Sequence, residues 1–345
     1  MRVSLSNSDR SFSVAPRQSV LEAALDAGIN LPHSCKGGNC GACRGRLISG
    51  EVHYANGRPL GLADSEVREG FILLCQAHAR SDLSVEIVEL SSAGNAASKR
   101  LPSRIERLEP LAHDVLQLFL RLPAAESFDF QPGQYIDIIL PAGRRRSFSI
   151  ASPPHDSRFL ELHVRRVPGG EFTEPLFSAD ARSALLTIEG PLGHFVYRSD
   201  STAPMLLVGG GTGLAPLKSI LRHVLENALN REMILYWGVR SEEDLYAHAE
   251  LVDLAGRSMN FRYEPVLSEP GAGWTGARGW VHDAVLRDIP LEAFEIYASG
   301  PPAMIAAVRE TFPRHGADPG RMLFDSFDYA PDSLARQRKT AANES

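Results

Sequence analysis

Four cysteines constrain this chain of 345 residues more than any other feature of its sequence. Cys35, Cys40 and Cys43 follow a C-x4-C-x2-C spacing in a glycine-rich stretch, and Cys75 is the only other cysteine. This spacing is typical of four thiolates that hold a [2Fe–2S] cluster. Glycines suit such a loop, because the bridging sulfides need backbone N–H donors close by and side chains would obstruct them. We therefore predict that all four cysteines are metal ligands.

Two other uses of four cysteines are two disulfides or a zinc site. Disulfides are disfavoured because residues 1–9 lack the apolar core of a signal peptide, and nothing else in the sequence indicates secretion. Zinc sites favour paired C-x2-C elements, and the chain has one such pair. A reducing compartment, most simply the cytoplasm, fits four thiols that are kept for a metal.

Charge and hydropathy argue against two further classes of protein. The formal net charge of −6 argues against a nucleic-acid binder, which usually presents a basic face. No apolar run reaches the roughly 18 residues that suggest a membrane span. Apolar content of 43% and charged content of 23% are ordinary for a globular protein, and the length leaves room for two or three domains.

Residues 1–93 predict a sheet that is crossed by one helix. Residues 3–5 and 12–14 alternate apolar and polar side chains around a turn, which predicts a β-hairpin. Ser19 and Glu22 form a capping-box pattern ahead of a helix over residues 20–27. Together with the cysteine spacing, this segment resembles plant-type ferredoxins. The resemblance implies a β-grasp-like domain with a [2Fe–2S] cluster.

The rest of the chain divides by its pattern into a β-rich segment and an alternating one. Residues 94–101 fall in a small, polar stretch and are predicted to be a linker. Residues 102–198 contain short β-like runs between Pro and Gly turns, which predicts an antiparallel β-barrel. Residues 203–330 alternate strand and helix, which predicts a doubly wound parallel sheet. The whole is a multidomain α+β and α/β chain, and residues 331–345 are predicted to be a mobile tail.

An ordered set of motifs in residues 102–198 resembles the flavin domain of the ferredoxin–NADP reductase superfamily. The set comprises R-S-F-S at 146–149, R-R-V-P-G-G-E-F-T at 165–173 and G-P-L-G at 190–193. The resemblance implies that Arg146 binds the pyrophosphate of FAD, which is preferred over FMN, and that Phe148 covers the isoalloxazine ring. Both roles suit the side chains, a planar guanidinium and an aromatic face. The family more often has Tyr in place of Phe148, so we expect one hydrogen bond to the ribityl chain to be missing.

The same resemblance assigns further residues to the flavin. Ser149 is expected to hydrogen-bond the reactive N5 edge, and Thr173 to meet phosphate. The remaining members of the implied flavin-contacting set are Ser147, His163, Val164, Arg165, Gly169 and Gly170.

A glycine-rich turn in residues 203–330 predicts a nucleotide site. Gly210, Gly211, Thr212 and Gly213 lie between an apolar strand and a helix, where backbone amides can approach a pyrophosphate; a tight turn without a ligand fits the same pattern. The next strand ends in a Y-x-G-x-R…D-L-Y element of the same family. Acidic residues at 242–244 would repel a 2′-phosphate, which favours NADH; Arg240 argues the other way and leaves NADPH open.

The last motifs resemble the nicotinamide side of that family. S-G-P-P-A-M at 299–304 resembles a C-G-P-P-x-M loop, which assigns Gly300 and Pro301 to the nicotinamide. Ser299 stands where the family usually has Cys, so we expect slower hydride transfer. Phe327 matches a terminal aromatic that covers the flavin and is preferred over Phe324; alternatively both are core aromatics. Ser149, Ser299 and Phe327 are therefore the predicted catalytic residues.

Taken in order, the three segments resemble the NADH-dependent reductase components of bacterial multicomponent oxygenases. The resemblance implies that NADH delivers electrons through FAD and the [2Fe–2S] cluster to a terminal oxygenase or other metalloprotein, a transient partner of a monomeric reductase. The same motifs fit a CDP-6-deoxyglucoseen-type reductase of deoxysugar synthesis. They also fit a stand-alone flavin or ferric reductase, whereas a redox sensor or scaffold with an idle nucleotide site is the least favoured alternative.

Overall fold

The structure is a computed structural model that describes residues 1–89, 98–156, 158–178 and 184–327. Three sheet-based units follow one another along the chain. The predicted mobile tail lies outside the described residues, and so does the predicted linker up to residue 97.

The first unit is a mixed sheet with one helix across it. Its elements are β1 (Arg2–Leu5), β2 (Ser11–Ser13), α1 (Val20–Asp26), β3 (Arg44–Ser49), β4 (Val52–His53), α2 (Asp64–Arg68), β5 (Phe71–Leu73), β6 (His78–Ala79) and β7 (Leu83–Glu86). The five-stranded sheet has the order β2-β1-β7-β3-β5, and β4 pairs with β6. The predicted hairpin and capping box are confirmed: Ser19 Oγ accepts from the Glu22 N–H at 3.2 Å, and the Glu22 carboxylate accepts from the Ser19 N–H at 2.9 Å.

The second unit is an antiparallel six-stranded sheet. Its elements are β8 (Lys99–Ala112), β9 (Val115–Arg121), β10 (Tyr135–Ile139), β11 (Arg145–Ser149), β12 (Leu160–Arg165), α3 (Thr173–Leu176) and β13 (Leu185–Leu192). The order is β11-β10-β13-β8-β9-β12. A bridge between Ile150 and Leu162 joins the two ends of this order, so the sheet closes on itself around an apolar interior. The predicted barrel is therefore confirmed.

One boundary needs correction. Residues 99–101 were predicted to belong to the linker, but they form the start of β8. They pair with residues 188–190 of β13, so they are part of the barrel sheet. The sequence does not indicate this strand, because the stretch is small and polar and its partner strand lies far away in the sequence.

The third unit is a parallel sheet with helices between its strands. Its elements are β14 (Met205–Gly210), α4 (Leu214–Glu226), β15 (Met233–Val239), α5 (His248–Arg257), β16 (Phe261–Leu267), β17 (Ala277–Arg278), α6 (Val281–Asp288), β18 (Glu295–Gly300), α7 (Pro302–Thr311) and β19 (Met322–Ser326). The order is β17-β16-β15-β14-β18-β19. Strands β15 to β17 follow one another on one side of β14, and β18 and β19 lie on its other side, so the strand order reverses between β14 and β18. Ligands of such sheets bind at the carboxyl ends of the strands that flank this reversal point.

Within the described residues, no helix has the length and apolar character needed to cross a membrane.

Candidate functional site

The four cysteines converge in the first unit. The loop of residues 35–43, here called the cluster loop, precedes β3, and Cys75 follows β5; pairing of Arg44 with Leu73 brings the two ends together. Cys40, Cys43 and Cys75 are buried, Cys35 is half-buried, and all four are free thiols. The pKa of Cys75 is raised by its hydrogen bond with Cys43, by burial and by the charges of the other three cysteines.

Backbone amides point at these sulfur atoms. The Cys40 N–H donates to Cys35 Sγ at 3.3 Å, and the Cys75 N–H donates to Cys43 Sγ at 3.4 Å. Gly41 has a φ of +76°, a conformation that favours glycine. Four convergent thiols with amide donors fit a [2Fe–2S] cluster, which needs thiolate ligands and N–H groups near its sulfides.

The predicted flavin-binding motif lies on β11. Arg146 and Phe148 alternate along this strand with Ser147 and Ser149, so the two pairs occupy opposite faces. The half-buried ring of Phe148 lies 5.4 Å from the ring of Phe172, centroid to centroid. Arg146 and Phe148 therefore present a cationic and an aromatic side chain on one face, as the predicted flavin roles require.

A buried carboxyl group that the sequence reasoning missed joins all three units. Asp325 of β19 accepts hydrogen bonds from Ser34 Oγ at 2.7 Å and from Ser149 Oγ at 3.1 Å. Ser34 precedes the first cluster cysteine, and Ser149 is the residue predicted to meet flavin N5. Burial raises the pKa of Asp325 to about 6, and the two serine hydrogen bonds oppose this rise. The F-D-S-F motif contains Asp325, but the motif alone does not show its partners.

The two predicted nucleotide loops meet at the reversal point of the third sheet. Gly213 packs so closely against the Ser299 carbonyl that a Cβ would overlap it. A Cβ on Gly210 would lie 2.7 Å from Met304 Sδ and 2.8 Å from Pro301 Cδ. Trp237 donates to the Gly211 carbonyl at 2.9 Å and fixes the turn, of which Thr212 is the next residue. Close packing of the two loops therefore requires glycine at positions 210 and 213, at the strand ends where ligands of such sheets bind.

Ser299 lies beside Asp325 at this reversal point. The two residues are register partners in the β18–β19 pair, and Ser299 is fully buried. Among the described residues, Ser299 Oγ has no hydrogen-bond partner. Ser149, Asp325 and Ser299 are thus neighbours in the structure, although 176 positions separate Ser149 from Asp325 in the sequence.

The two candidate aromatics of the F-D-S-F motif differ in their surroundings. The Phe327 N–H donates to the Gly300 carbonyl at 3.0 Å, which holds Phe327 beside the predicted nicotinamide loop. Phe324 packs partly against the core of the third unit, and the guanidinium of Arg309 lies over its ring at 5.3 Å. This arrangement favours Phe327 as the residue near the flavin.

Four predicted flavin contacts use their side chains elsewhere. Ser147 Oγ donates to Asp137 at 2.6 Å, and Thr173 Oγ1 accepts from the Val167 N–H at 3.0 Å, which closes the turn at Gly169 and Gly170. The Val164 side chain is fully buried in the barrel. Both ring nitrogens of His163 contact protein groups, Tyr246 and Glu161. The predicted cofactor roles of these four residues stay predictions, and the contacts show which protein groups their side chains meet.

The two remaining predicted cations lie near the nucleotide loops. Arg165 contacts Asp114 at 3.5 Å, and its Nη2 would lie 3.5 Å from a Cβ on Gly211. Arg240 at the end of β15 is 60% exposed and lies 3.8 Å from the buried Asp244. Arg165 and Arg240 therefore stay candidate phosphate ligands of the predicted nucleotide site.

A second missed feature ties the barrel to the third unit. Glu161 of β12 accepts from Lys218 of α4 at 3.0 Å and from Gln117 at 2.7 Å, and Lys218 also pairs with Glu250 of α5 at 2.9 Å. Burial alone would raise the pKa of Glu161, but the His163 hydrogen bond and the Lys218 charge hold it below its ordinary value. This buried network fixes the orientation of the two units.

Comparison with known families agrees with this division. Residues 3–80 match the 2Fe-2S iron-sulfur cluster binding domain, residues 102–197 the oxidoreductase FAD-binding domain, and residues 207–310 the oxidoreductase NAD-binding domain. The matches confirm the predicted fold class and the predicted set of cofactors. The three units are called the ferredoxin, FAD-binding and NAD-binding domains below.

Individual relatives cover nearly the whole chain. The chain is 38% identical over 328 residues to a CDP-6-deoxy-L-threo-D-glycero-4-hexulose-3-dehydrase reductase of Yersinia pestis, covering 95% of this chain and 98% of that protein. It is 36% identical over 336 residues to the reductase subunit of an aromatic O-demethylase from Amycolatopsis, covering 95% and 99%. The crystal structure of Amycolatopsis cytochrome P450 reductase GcoB is similar with a TM-score of 0.74 at 35% identity, covering 94% and 98%.

Proposed function

The chain belongs to the family of iron–sulfur flavoprotein reductases, and on that premise we propose that it delivers electrons from NADH to a terminal oxygenase. When bound, FAD takes a hydride from the nicotinamide and releases electrons singly, and the [2Fe–2S] cluster passes them on. Membership in this family makes the chain an NAD(P)H-dependent oxidoreductase that works with a terminal component. Its action as a monomer with a transient partner in the cytoplasm is part of the proposal.

The observation that carries the proposal is the junction at Asp325. Its carboxyl group connects Ser34, beside the cluster loop, with Ser149 on the flavin-binding strand. Ser299, next to the nicotinamide loop, is its register partner. This junction supports the proposal, because it brings residues of the predicted flavin, nicotinamide and cluster sites together in one chain.

The proposed roles follow from this geometry. Arg146 and Phe148 bind FAD, Ser149 holds its reactive edge, and Ser299 seats the nicotinamide, with Phe327 beside it. The cluster is held by Cys35, Cys40, Cys43 and Cys75. We propose domain limits of 1–93, 102–198 and 203–330, with the barrel sheet extended back to Lys99.

We propose NADH as the preferred donor. Glu242 and Glu243 lie shortly after the end of β15 and are exposed, so their charges would repel an adenosine 2′-phosphate bound at the end of this strand. Arg240 lies close to Asp244, which offsets its attraction for a phosphate. The ratio of kcat/KM for NADH and NADPH tests this preference, and a higher value for NADPH would refute it.

The function is tested with protein reconstituted anaerobically with FAD, iron and sulfide. NADH is expected to reduce the flavin and then the cluster, and to support substrate hydroxylation when an oxygenase of the relatives' class is added. Absence of thiolate–iron absorption bands would overturn the assignment of the four cysteines. Undiminished NADH oxidation with free flavin and no protein partner would instead favour a stand-alone flavin reductase.

A second terminal acceptor is favoured by the 38% identity to the Yersinia pestis reductase. In that case the partner is a CDP-hexulose dehydrase, and the same flavin and cluster supply it with electrons. The two candidates are separated by measuring NADH oxidation with each partner and its substrate under identical conditions. Faster NADH oxidation with the dehydrase would identify the dehydrase, and not the oxygenase, as the acceptor, and the proposed role of the reductase would stay the same.

A further inference from the structure

Arg309 reaches from the NAD-binding domain to the cluster loop. It lies on α7, and its Nη1 donates a hydrogen bond of 2.6 Å to the carbonyl oxygen of Cys40, a residue 269 positions earlier in the chain. Its Nη2 forms an ion pair with Glu66 of α2 at 3.3 Å. The two side chains are only 16% and 14% exposed. One guanidinium therefore joins two segments of the ferredoxin domain to a helix of another domain.

The surroundings of Arg309 fit a guanidinium closely. Gly41 has no side chain at the point of contact, and a Cβ there would overlap the guanidinium. On the other side, the guanidinium carbon lies 5.3 Å from the ring centroid of Phe324, within the range of a cation–π contact. A planar fork can serve a carbonyl, a carboxylate and an aromatic face at once, whereas a lysine ammonium is a point charge.

The contact between Arg309 and the cluster loop lies where the ferredoxin domain meets the other two domains. Two further contacts dock the same side of the ferredoxin domain: Ser34 with Asp325, and His33 with His194 of the FAD-binding domain, where the His33 N–H lies 3.2 Å from His194 Nδ1. All of them hold the cluster side of the ferredoxin domain toward the flavin-binding strand. Arg309 supplies an ion pair to this interface.

We propose that Arg309 is a positioning residue that docks the ferredoxin domain on the NAD-binding domain and thereby holds the cluster loop in place to receive electrons from the flavin. The inference rests on the proposed function, because it takes the cluster as the electron acceptor of the flavin. The inference gives a residue of the NAD-binding domain a role in electron transfer from the flavin to the cluster, through its contact with the cluster loop.

The test compares Arg309→Gln with Arg314→Gln in protein loaded with FAD and cluster. Arg314 lies just beyond α7, is 68% exposed and pairs with Glu310, so its variant removes the same charge away from the cluster loop. Hydrogen exchange of the amides in residues 37–44 and 63–69 reports docking without any turnover. Stopped-flow absorbance reports cluster reduction by NADH, and flavin reduction in the same trace serves as the internal reference.

We expect Arg309→Gln to raise amide exchange in both segments about tenfold or more, since a charge-assisted hydrogen bond across an interface is lost. Cluster reduction should slow relative to flavin reduction, and Arg314→Gln should do neither. Equal exchange in the two variants, or an unchanged rate of cluster reduction, would overturn the role of Arg309. If Arg309→Gln loses the cluster, Arg309→Lys is measured by the same two criteria, because it keeps the charge but reaches fewer partners. Failure of NADH to reduce the cluster in the unaltered protein would instead refute the proposed function.

Discussion

Replacing Asp325 by Asn offers a quantitative test of the junction between the three domains. The carboxyl group is buried and accepts hydrogen bonds from Ser34 and Ser149. Burial raises its pKa from 3.8 to about 6, in spite of the two serine hydroxyls, which favour the charged form. Asn keeps one acceptor oxygen and has nearly the same shape, so the substitution removes mainly the titrating charge.

The sign of the effect follows from the direction of this shift. Below pH 3.8 the group is protonated in both the folded and the unfolded chain and has no effect on their balance. Above that value the unfolded chain ionises first, so stability falls as the pH rises toward 6. The full cost is 6 − 3.8 = 2.2 pKa units, or about 3 kcal/mol at 1.36 kcal/mol per unit. At pH 5 only 5 − 3.8 = 1.2 units are lost, or about 2 kcal/mol.

The expected result is therefore a difference between two pH values. From pH 5 to pH 8, the stability advantage of Asp325→Asn over the unaltered protein should grow by about 1 kcal/mol. Urea midpoints of FAD- and cluster-loaded protein, followed by flavin fluorescence at both pH values, measure this gain. Asp253→Asn is the matched control, because that side chain is 61% exposed in a surface ion pair. A gain that does not grow with pH, or that Asp253→Asn shares, would refute the reasoning.

Three further predictions concern the network between domains, the cluster and the nicotinamide loop. Lys218→Met leaves the buried Glu161 without its nearest cation, so the free energy of unfolding should fall by about 3 kcal/mol. Glu250→Gln, at a side chain 42% exposed, should cost less than about 1 kcal/mol. Urea unfolding measures both losses, and equal losses would argue against a buried network. Cys75→Ser should lose the thiolate–iron absorption of the cluster while NADH still reduces the flavin, and retained iron bands would contradict its role as ligand. Ser299→Cys should accelerate flavin reduction by NADH in stopped-flow experiments; an unchanged rate would contradict the placement of Ser299 beside the nicotinamide.

Local patterns in the sequence predicted the elements of this fold well. The capping box of Ser19 and Glu22, the apolar strand before Gly210 and the alternation along residues 160–165 each depend on neighbouring residues alone. Such signals arise from backbone geometry and from the periodicity of side chains, which a sequence displays directly. The order of the three domains followed from the same local motifs.

Contacts between domains were beyond this kind of reasoning. Asp325 meets Ser34 across 291 positions, and Arg309 meets Cys40 across 269. Neither residue belongs to a periodic pattern, and both resemble ordinary surface charges until the fold buries them. Thr173 and His163 show a related gap, because their motif indicated a cofactor site and gave no sign that their side chains also close a turn and join an interdomain network.

The docked cluster loop limits where an acceptor can bind. Ser34 and the Cys40 carbonyl face Asp325 and Arg309, so the inner side of the loop is occupied by this chain itself. Gly37 is exposed, and so is the neighbouring Leu60 at 70%. We therefore propose that an acceptor approaches from the side of Gly37 and Leu60. If the inner contacts serve the transfer from flavin to cluster, as proposed for Arg309, selection between an oxygenase and a dehydrase would lie on that outer side. Exchange of outer residues should then change the partner without slowing cluster reduction.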